Sequence, residues 1–274
     1  MHVATTGASS GIGRALAQEY LSKGAKVTMV ARRLEHMRET AGPNSDRVNF
    51  VVADLSNTED AHHWIDDAEA LFGPIDILIN NAGTSVVHPT IDTDWAAVQN
   101  LMRLNVFTPF KLTCTLAPRM VARRSGCIVD IASAAALAPQ PGFFFYNASK
   151  AALSAASESL RAELRPYGVH VLTVYPGPIH TPMAEANFSV FDPSLARWTP
   201  TGDAKVLAKL IANSVEQRKA RVIYPRVYTL ARWFPALFRW GVDRFTPPMK
   251  RPRTSVNTSP KLSAQFEDHV DSHS

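Results

Sequence analysis

The chain is poor in cysteine. Cys114 and Cys127 are the only two in 274 residues, and neither sits at metal-ligand spacing from another candidate ligand. This argues against a disulfide scaffold or a zinc module and reads as reduced thiols in a cytoplasmic compartment. No apolar run reaches the roughly eighteen residues of a membrane span, and no leader-like segment precedes the first strand-like run. No internal repeat is present, so solenoids and propellers are set aside. Charged residues are 19% of the chain and hydrophobic ones 46%, enough for one large core with an appendage. Acid is scarcest near the carboxyl end. Between Arg218 and Arg253 ten Lys or Arg face a single acid, Asp243, a local balance of +9 within a total of +5, which leaves −4 for everything else.

What the chain does contain is an alternation of strand-like and helix-like segments. Apolar runs at His2–Thr6, Lys26–Ala31, Val48–Ala53, Ile75–Asn80 and Cys127–Ala132 are separated by amphipathic stretches of helical length, and further strands are expected at Val169–Tyr175 and Arg221–Tyr224. Strands alternating with helices predict a parallel sheet covered on both faces, a doubly wound α/β Rossmann fold of seven strands. Between the first strand and a helix expected from about Arg14 lies Thr6-Gly7-Ala8-Ser9-Ser10-Gly11-Ile12-Gly13. Glycines there allow a tight turn and close backbone approach to a pyrophosphate, and the helix amino end offers unpaired N–H groups to the anion. The spacing is G-x-x-x-G-x-G, not the commoner G-x-G-x-x-G.

A long helix expected from about Phe143 to Arg165 carries Tyr146-Asn147-Ala148-Ser149-Lys150. Four residues is one helical turn, so the phenol and the ammonium share a face. A free tyrosine, with a pKa of roughly 10, is a poor proton carrier at neutral pH, and a nearby cation favours its phenolate. Alone, the pair reads first as a half-buried Tyr beside a solvated Lys, a spacing common on amphipathic helices.

The glycine turn, the Tyr/Lys pair and several spaced motifs agree: Asp54 after the third strand, Asn80-Asn81-Ala82-Gly83 after the fourth, Asn105 in Arg103-Leu104-Asn105-Val106, Ser133 after the fifth and Pro176-Gly177-Pro178-Ile179-His180-Thr181 after the sixth. With these, the chain resembles the compact, single-domain short-chain dehydrogenases/reductases over roughly residues 3 to 225. All lie at strand carboxyl ends or helix starts, where an open α/β sheet binds ligands.

The resemblance implies roles. Ser133, thirteen residues before the tyrosine, would polarise a substrate carbonyl. Tyr146 would protonate that oxygen or take the alcohol proton, Lys150 would hold the nicotinamide ribose, and Asn105 would anchor a water passing protons onward. Taken singly, Ser133 is an ordinary post-strand serine and Asn105 a helix cap. Cofactor contacts are expected from Gly7, Ser9, Ser10, Gly11, Ile12 and Gly13 in the turn, from Asp54 and Leu55 at the adenine, and from Asn81, Ala82 and Gly83 on the path to the ribose. Tyr146, Lys150, Pro176, Gly177, Ile179 and Thr181 complete the set. Ala31 stands where an NAD enzyme of this fold usually has an acid, and Arg32 and Arg33 follow, so NADP(H) is expected over NAD(H), with Arg32 on the 2′-phosphate and Arg33 on the adenine. Non-catalytic NADP(H) binding, as a redox sensor or scaffold, is the alternative from a different class.

Thr84–His88, Ala134–Phe145 and Met183–Trp198 are expected to line the substrate pocket. Phe143, Phe144, Phe145, Met183, Phe188, Val190, Phe191 and Trp198 suggest a lipophilic ketone, aldehyde or secondary alcohol, with core packing claiming part of this set. His88 and His180 read as loop residues. Beyond a Rossmann domain at residues 1–225, residues 226–246 form a basic-aromatic extension with a helix starting at Pro235. It reads equally as an interfacial segment for an anionic membrane surface, at the inner face of a membrane, or as a helical pair over the pocket or a subunit partner. Family resemblance implies dimers or tetramers. Residues 247–274 read as a disordered tail, whose short basic cluster at Lys250-Arg251-Pro252-Arg253 lacks interleaved aromatics, so no nucleic-acid partner is expected.

Overall fold

The computed structural model describes residues 1–87, 89–188 and 199–245. Seven strands form one parallel sheet: β1 (His2–Thr6), β2 (Lys26–Ala31), β3 (Val48–Val52), β4 (Ile77–Asn80), β5 (Gly126–Ile131), β6 (Val169–Pro176) and β7 (Arg221–Tyr224), in the spatial order β3-β2-β1-β4-β5-β6-β7. Successive strand residues point to opposite faces, and each face has its own core. Val3, Ile77, Ile79 and Val129 pack with Leu16 and Ile211 on one side, while Ala4, Leu78 and Ile128 pack with Ile65, Leu112 and Leu116 on the other. Burial on both faces is why these strands read as nearly continuous apolar runs.

The helices of the first side are α1 (Gly11–Ser22), α2 (Leu34–Ala41) and a later helix at Ala204–Glu216. Those of the second are α3 (Trp64–Phe72), α4 (Trp95–Met102), α5 (Thr108–Ala122) and α6 (Phe144–Leu164). Between α4 and α5 the helix does not break but widens into a π turn over Arg103–Phe107, and Asn105 sits inside it. Such bulges reposition side chains and recur at functional sites. A short α7 (Pro182–Phe188) follows β6. The helix at Ala204–Glu216 is α8, and α9 (Thr229–Trp233) and α10 (Pro235–Phe245) close the described chain.

The expected strands all form; β1, β2 and β7 have the expected ends, and the other four are displaced by one or two residues. The first helix starts three residues earlier than expected, because Gly11 already belongs to it. Strand order reverses between β2-β1 and β4-β5, so their carboxyl ends diverge into a crevice at the topological switch point.

Candidate active site

The crevice floor is the turn after β1. Thr6 Oγ1 donates to the Ile79 carbonyl at 3.1 Å and accepts from the backbone N–H groups of Asn81 at 2.9 Å and Ala82 at 3.0 Å, while Asn81 Nδ2 donates to the Thr6 carbonyl at 2.8 Å. The β1 and β4 turns are thereby fastened together. Side chains are excluded from the contact: a Cβ on Gly7, at φ +67°, would come within 2.9 Å of Asn81 Nδ2, and one on Gly13 would strike the Gly7 carbonyl and the same amide. At the start of α1 the Ser10 hydroxyl caps none of the free N–H groups. A close backbone approach beside an uncapped helix start is what a pyrophosphate requires, so these residues fit a dinucleotide.

From this floor opens a cavity of about 450 Å³, within the range of small-molecule sites. Its wall brings together Gly7, Ser9, Ser10, Gly11 and Ile12, Arg32, Arg33, Asp54 and Leu55, Asn81, Ala82 and Gly83, and Ser133, Tyr146, Lys150, Pro176, Gly177, Ile179 and Thr181. Thr181 closes against the glycine turn, where a Cβ on Gly11 would meet its methyl at 3.1 Å. Gly13 and Asn105 are not on its wall. Gly13 lies beneath the turn, and Asn105 is fully buried behind Gly83, whose Cβ would meet Asn105 Oδ1 at 3.1 Å and Lys150 Nζ at 3.5 Å.

Arg33 Nη2 reaches back over the glycine turn to the hydroxyls of Ser9 and Ser10, each at 3.2 Å. Arg32 is exposed, and its charge helps hold the Asp54 carboxyl below the usual range, behind the larger effect of the Ser56 N–H and hydroxyl that Asp54 Oδ1 accepts.

At the reactive end, Ser133 accepts from the Ala135 N–H at 3.1 Å and hydrogen-bonds Tyr146. Burial holds the phenol above its ordinary pKa and Ser133 is what opposes it, so the shift runs opposite to the one expected from the sequence. The Lys150 ammonium lies 6.0 Å from the ring centroid. Lys150 is itself buried, donates to the Ile131 carbonyl at 2.8 Å, and is brought down to about 8 by burial against the opposing pull of Asp130. Asp130 is also buried, which raises its pKa, while hydrogen bonds from Asn80 and Ser157 and the Lys150 charge lower it.

Asn105 does not cap a helix. Its Nδ2 donates to the Thr84 carbonyl at 2.9 Å and to Ser149 Oγ at 3.0 Å, and its Oδ1 accepts from the Thr84 N–H at 2.9 Å. Asn105 thus ties the β4 loop to the helix bearing Tyr146 and Lys150. Thr6, Ser149, Asp130 and the Ile131 carbonyl are supporting groups that sequence reasoning did not assign, and Thr84, expected in the pocket lining, is on the cavity wall and also holds Asn105. Ser149 and Thr6 lay within motifs already singled out, whereas Asp130 and Ile131 stood out only as part of a strand.

The substrate end departs from expectation. Of the three phenylalanines only Phe143 lines the cavity. Phe144 is exposed on the first turn of α6, and Phe145 stacks edge-on with Trp95 at 6.2 Å, because consecutive helical residues point about a quarter-turn apart. Met183 is on the wall, joined by Tyr228 and Phe238 from the carboxyl-terminal extension. Tyr228 donates to the Pro200 carbonyl at 3.1 Å and packs where a Cβ on Gly177 would be. His88, Val190, Phe191, Trp198 and the 247–274 tail lie outside the described residues, as does the side chain of Phe188. Among the described residues no group of three His, Cys, Asp or Glu could hold a metal.

Comparison with known proteins agrees with this geometry. The family model described as short chain dehydrogenase matches residues 1–190. A fatty acyl-CoA reductase of Mycobacterium tuberculosis is 38% identical over 256 residues, covering 88% of this chain and 85% of that protein. An 11-beta-hydroxysteroid dehydrogenase A of Sesamum indicum is 32% identical over 256 residues, covering 87% and 73%. The solved structure of a short-chain dehydrogenase from Sphingobium yanoikuyae in complex with NADPH superposes with a TM-score of 0.75 at 27% identity, covering 93% of this chain and 98% of that one. With the sheet order, the glycine turn and the Ser/Tyr/Lys cavity, these similarities establish that the chain belongs to the short-chain dehydrogenase/reductase family of NAD(P)-dependent oxidoreductases.

Proposed function

We propose that the protein interconverts a lipophilic ketone or aldehyde and its alcohol, using NADP(H) in preference to NAD(H). The observation that carries this reading is the convergence of Ser133, Tyr146 and Lys150 on one cavity with the glycine turn. The nicotinamide, when bound, supplies or accepts the hydride. The chain's residues do the rest. The glycine turn and the start of α1 hold the pyrophosphate, and Lys150 holds ribose hydroxyls. The Ser133 hydroxyl donates to the substrate oxygen, drawing charge from the carbonyl carbon, and Tyr146 passes its phenolic proton to that oxygen or accepts the alcohol proton in reverse. Burial keeps the phenol in the donor form. Lys150, charged below about pH 8, stabilises the phenolate left after donation.

NADP(H) preference is supported by Ala31 at the end of β2, where a carboxylate would repel a 2′-phosphate, and by two guanidinium groups beside it. A lipophilic substrate is supported by Phe143, Met183, Tyr228 and Phe238 on the far wall, and by relatives named for fatty acyl-CoA and hydroxysteroid chemistry. The test is cofactor turnover with a panel of long-chain aldehydes, aromatic ketones and steroids in both directions. Tyr146→Phe should lower turnover by about a hundredfold or more with cofactor affinity nearly unchanged. A near wild-type rate in that variant would remove Tyr146 from the mechanism, and binding of NADPH with no turnover of any panel member would favour the non-catalytic alternative.

A further inference from the structure

Helix α10 lies with the wrong side out for a helix that merely packs. None of its residues is buried. Phe238 turns toward the cavity, whereas Leu237 and Trp240, with Trp233 and Phe234 just upstream, are between 58% and 70% exposed. Within α10, Leu237, Trp240 and Arg244 follow i, i+3, i+7 spacing, so they share one stripe of the helix. Val227, Leu230 and Phe245 extend the exposed apolar area. An apolar face of this size on the outside of a chain marks an interaction surface.

Its charge identifies the partner. Residues 226–245 contain Arg226, Arg232, Arg239 and Arg244 against the single acid Asp243. Arg232 is committed inward, 3.4 Å from Glu158, and pins α9 to the catalytic helix. The Arg244 guanidinium lies over the Phe245 ring at 5.6 Å, and Trp240 meets the same ring edge-on at 5.8 Å. Arg232, Trp233 and Arg239 also rim a hollow of about 380 Å³ beside Leu137, large enough for a small anionic group. A second copy of this chain docked on the same face would bring two basic patches into one interface. A lipid leaflet instead takes tryptophan, leucine and phenylalanine to headgroup depth while arginines reach anionic phosphates, and a flat stripe suits a flat surface.

We infer that the exposed face of α9 and α10 is a peripheral docking surface for an anionic lipid leaflet, set on α10, whose Phe238 walls the substrate cavity, and on α9, which directly follows the wall residue Tyr228. A lipophilic substrate dissolved in that leaflet is then one helix away from Phe238 and Tyr228. No described helix is long and apolar enough to cross the bilayer, so the contact lies in the interface plane. The delivery role rests on the proposed substrate class, but the docking itself does not.

The test is sedimentation of the full-length protein with phosphatidylcholine vesicles, alone or mixed with phosphatidylglycerol, without substrate. Wild type should partition onto the mixed vesicles and weakly onto pure phosphatidylcholine. Leu237→Glu combined with Trp240→Glu, at positions exposed enough to leave the fold intact, should lower the partition coefficient by about tenfold or more, and Arg239→Glu with Arg244→Glu should do the same on the mixed vesicles alone. Failure of wild type to bind mixed vesicles overturns the inference. Undiminished binding by the Leu237/Trp240 variant also overturns it, by placing the contact outside this face. So does a wild-type dimer that this variant splits while vesicle binding is absent. None of these outcomes touches the hydride-transfer reading, because turnover is not measured.

Discussion

Replacing Arg33 with alanine separates the contact the structure gives this side chain from a phosphate role that the proposed NADP(H) preference would give it beside Arg32. Its Nη2 bonds to Ser9 and Ser10 each measure 3.2 Å, so the guanidinium steadies the glycine turn and, on that proposal, would share a 2′-phosphate with Arg32. A hydrogen bond between a guanidinium and a phosphate contributes about 1.5–3 kcal/mol when well shielded. Arg33 is exposed, and solvent screening reduces this to about 1–2 kcal/mol. At about 1.4 kcal/mol per decade, the dissociation constant for NADPH should rise about 5- to 30-fold in Arg33→Ala, while that for NADH changes by no more than about twofold. Titration of the intrinsic fluorescence of each reduced cofactor measures both constants without a substrate, and the NADPH effect should shrink as salt is raised. Equal losses for NADPH and NADH would mean that Arg33 acts only by holding the turn, and unchanged constants for both would place the phosphate elsewhere. Either result would remove Arg33 from the basis for cofactor preference.

Carbonyl reduction should fall as pH rises through about 8, where Lys150 loses its proton. Asp130→Asn removes the carboxylate that opposes burial of that charge, so the fall should begin at lower pH in a kcat/KM profile, and an unmoved limb would disconnect Asp130 from Lys150. Glu158 receives hydrogen bonds from Arg221 and from the Tyr175 hydroxyl at 2.7 Å, and its pKa falls to about 2 from an ordinary 4.5. A lowered carboxyl pKa stabilises the fold above the ordinary value and loses that contribution as pH falls from about 4.5 toward 2. Glu158→Gln should therefore cost about 3 kcal/mol at neutral pH, or roughly 6–12 °C in Tm, and a calorimetric loss under about 1 kcal/mol would show that the arginines find other partners. Gly13→Ala should abolish measurable binding of either cofactor, because the new methyl displaces the Gly7 carbonyl or the Asn81 amide; retained affinity in a titration would mean that the turn can yield.

The sequence alone settled that the sheet is parallel, seven-stranded and covered on both faces, because a strand buried on both faces must be apolar throughout and the helices between such strands must be amphipathic. It also marked the glycine turn and the Tyr146/Lys150 pair, since both depend on spacing within a single turn of backbone. Asn105 was legible as a motif but not as a structure. Its three hydrogen bonds join Thr84 and Ser149, which are distant in the chain, and only the π turn between α4 and α5 aims it there. The same limit hid Asp130 behind Lys150, Arg33 over Ser9 and Ser10, and Tyr228 and Phe238 on the cavity wall. Which of Phe143, Phe144 and Phe145 reaches the cavity depended on where α6 docks against Trp95, and that orientation is set by packing across the sheet. Local pattern therefore determined what each segment is, through period and backbone freedom. Tertiary contact decided which side chains meet, because burial, reach and charge pairing exist only between segments that the fold has already brought together.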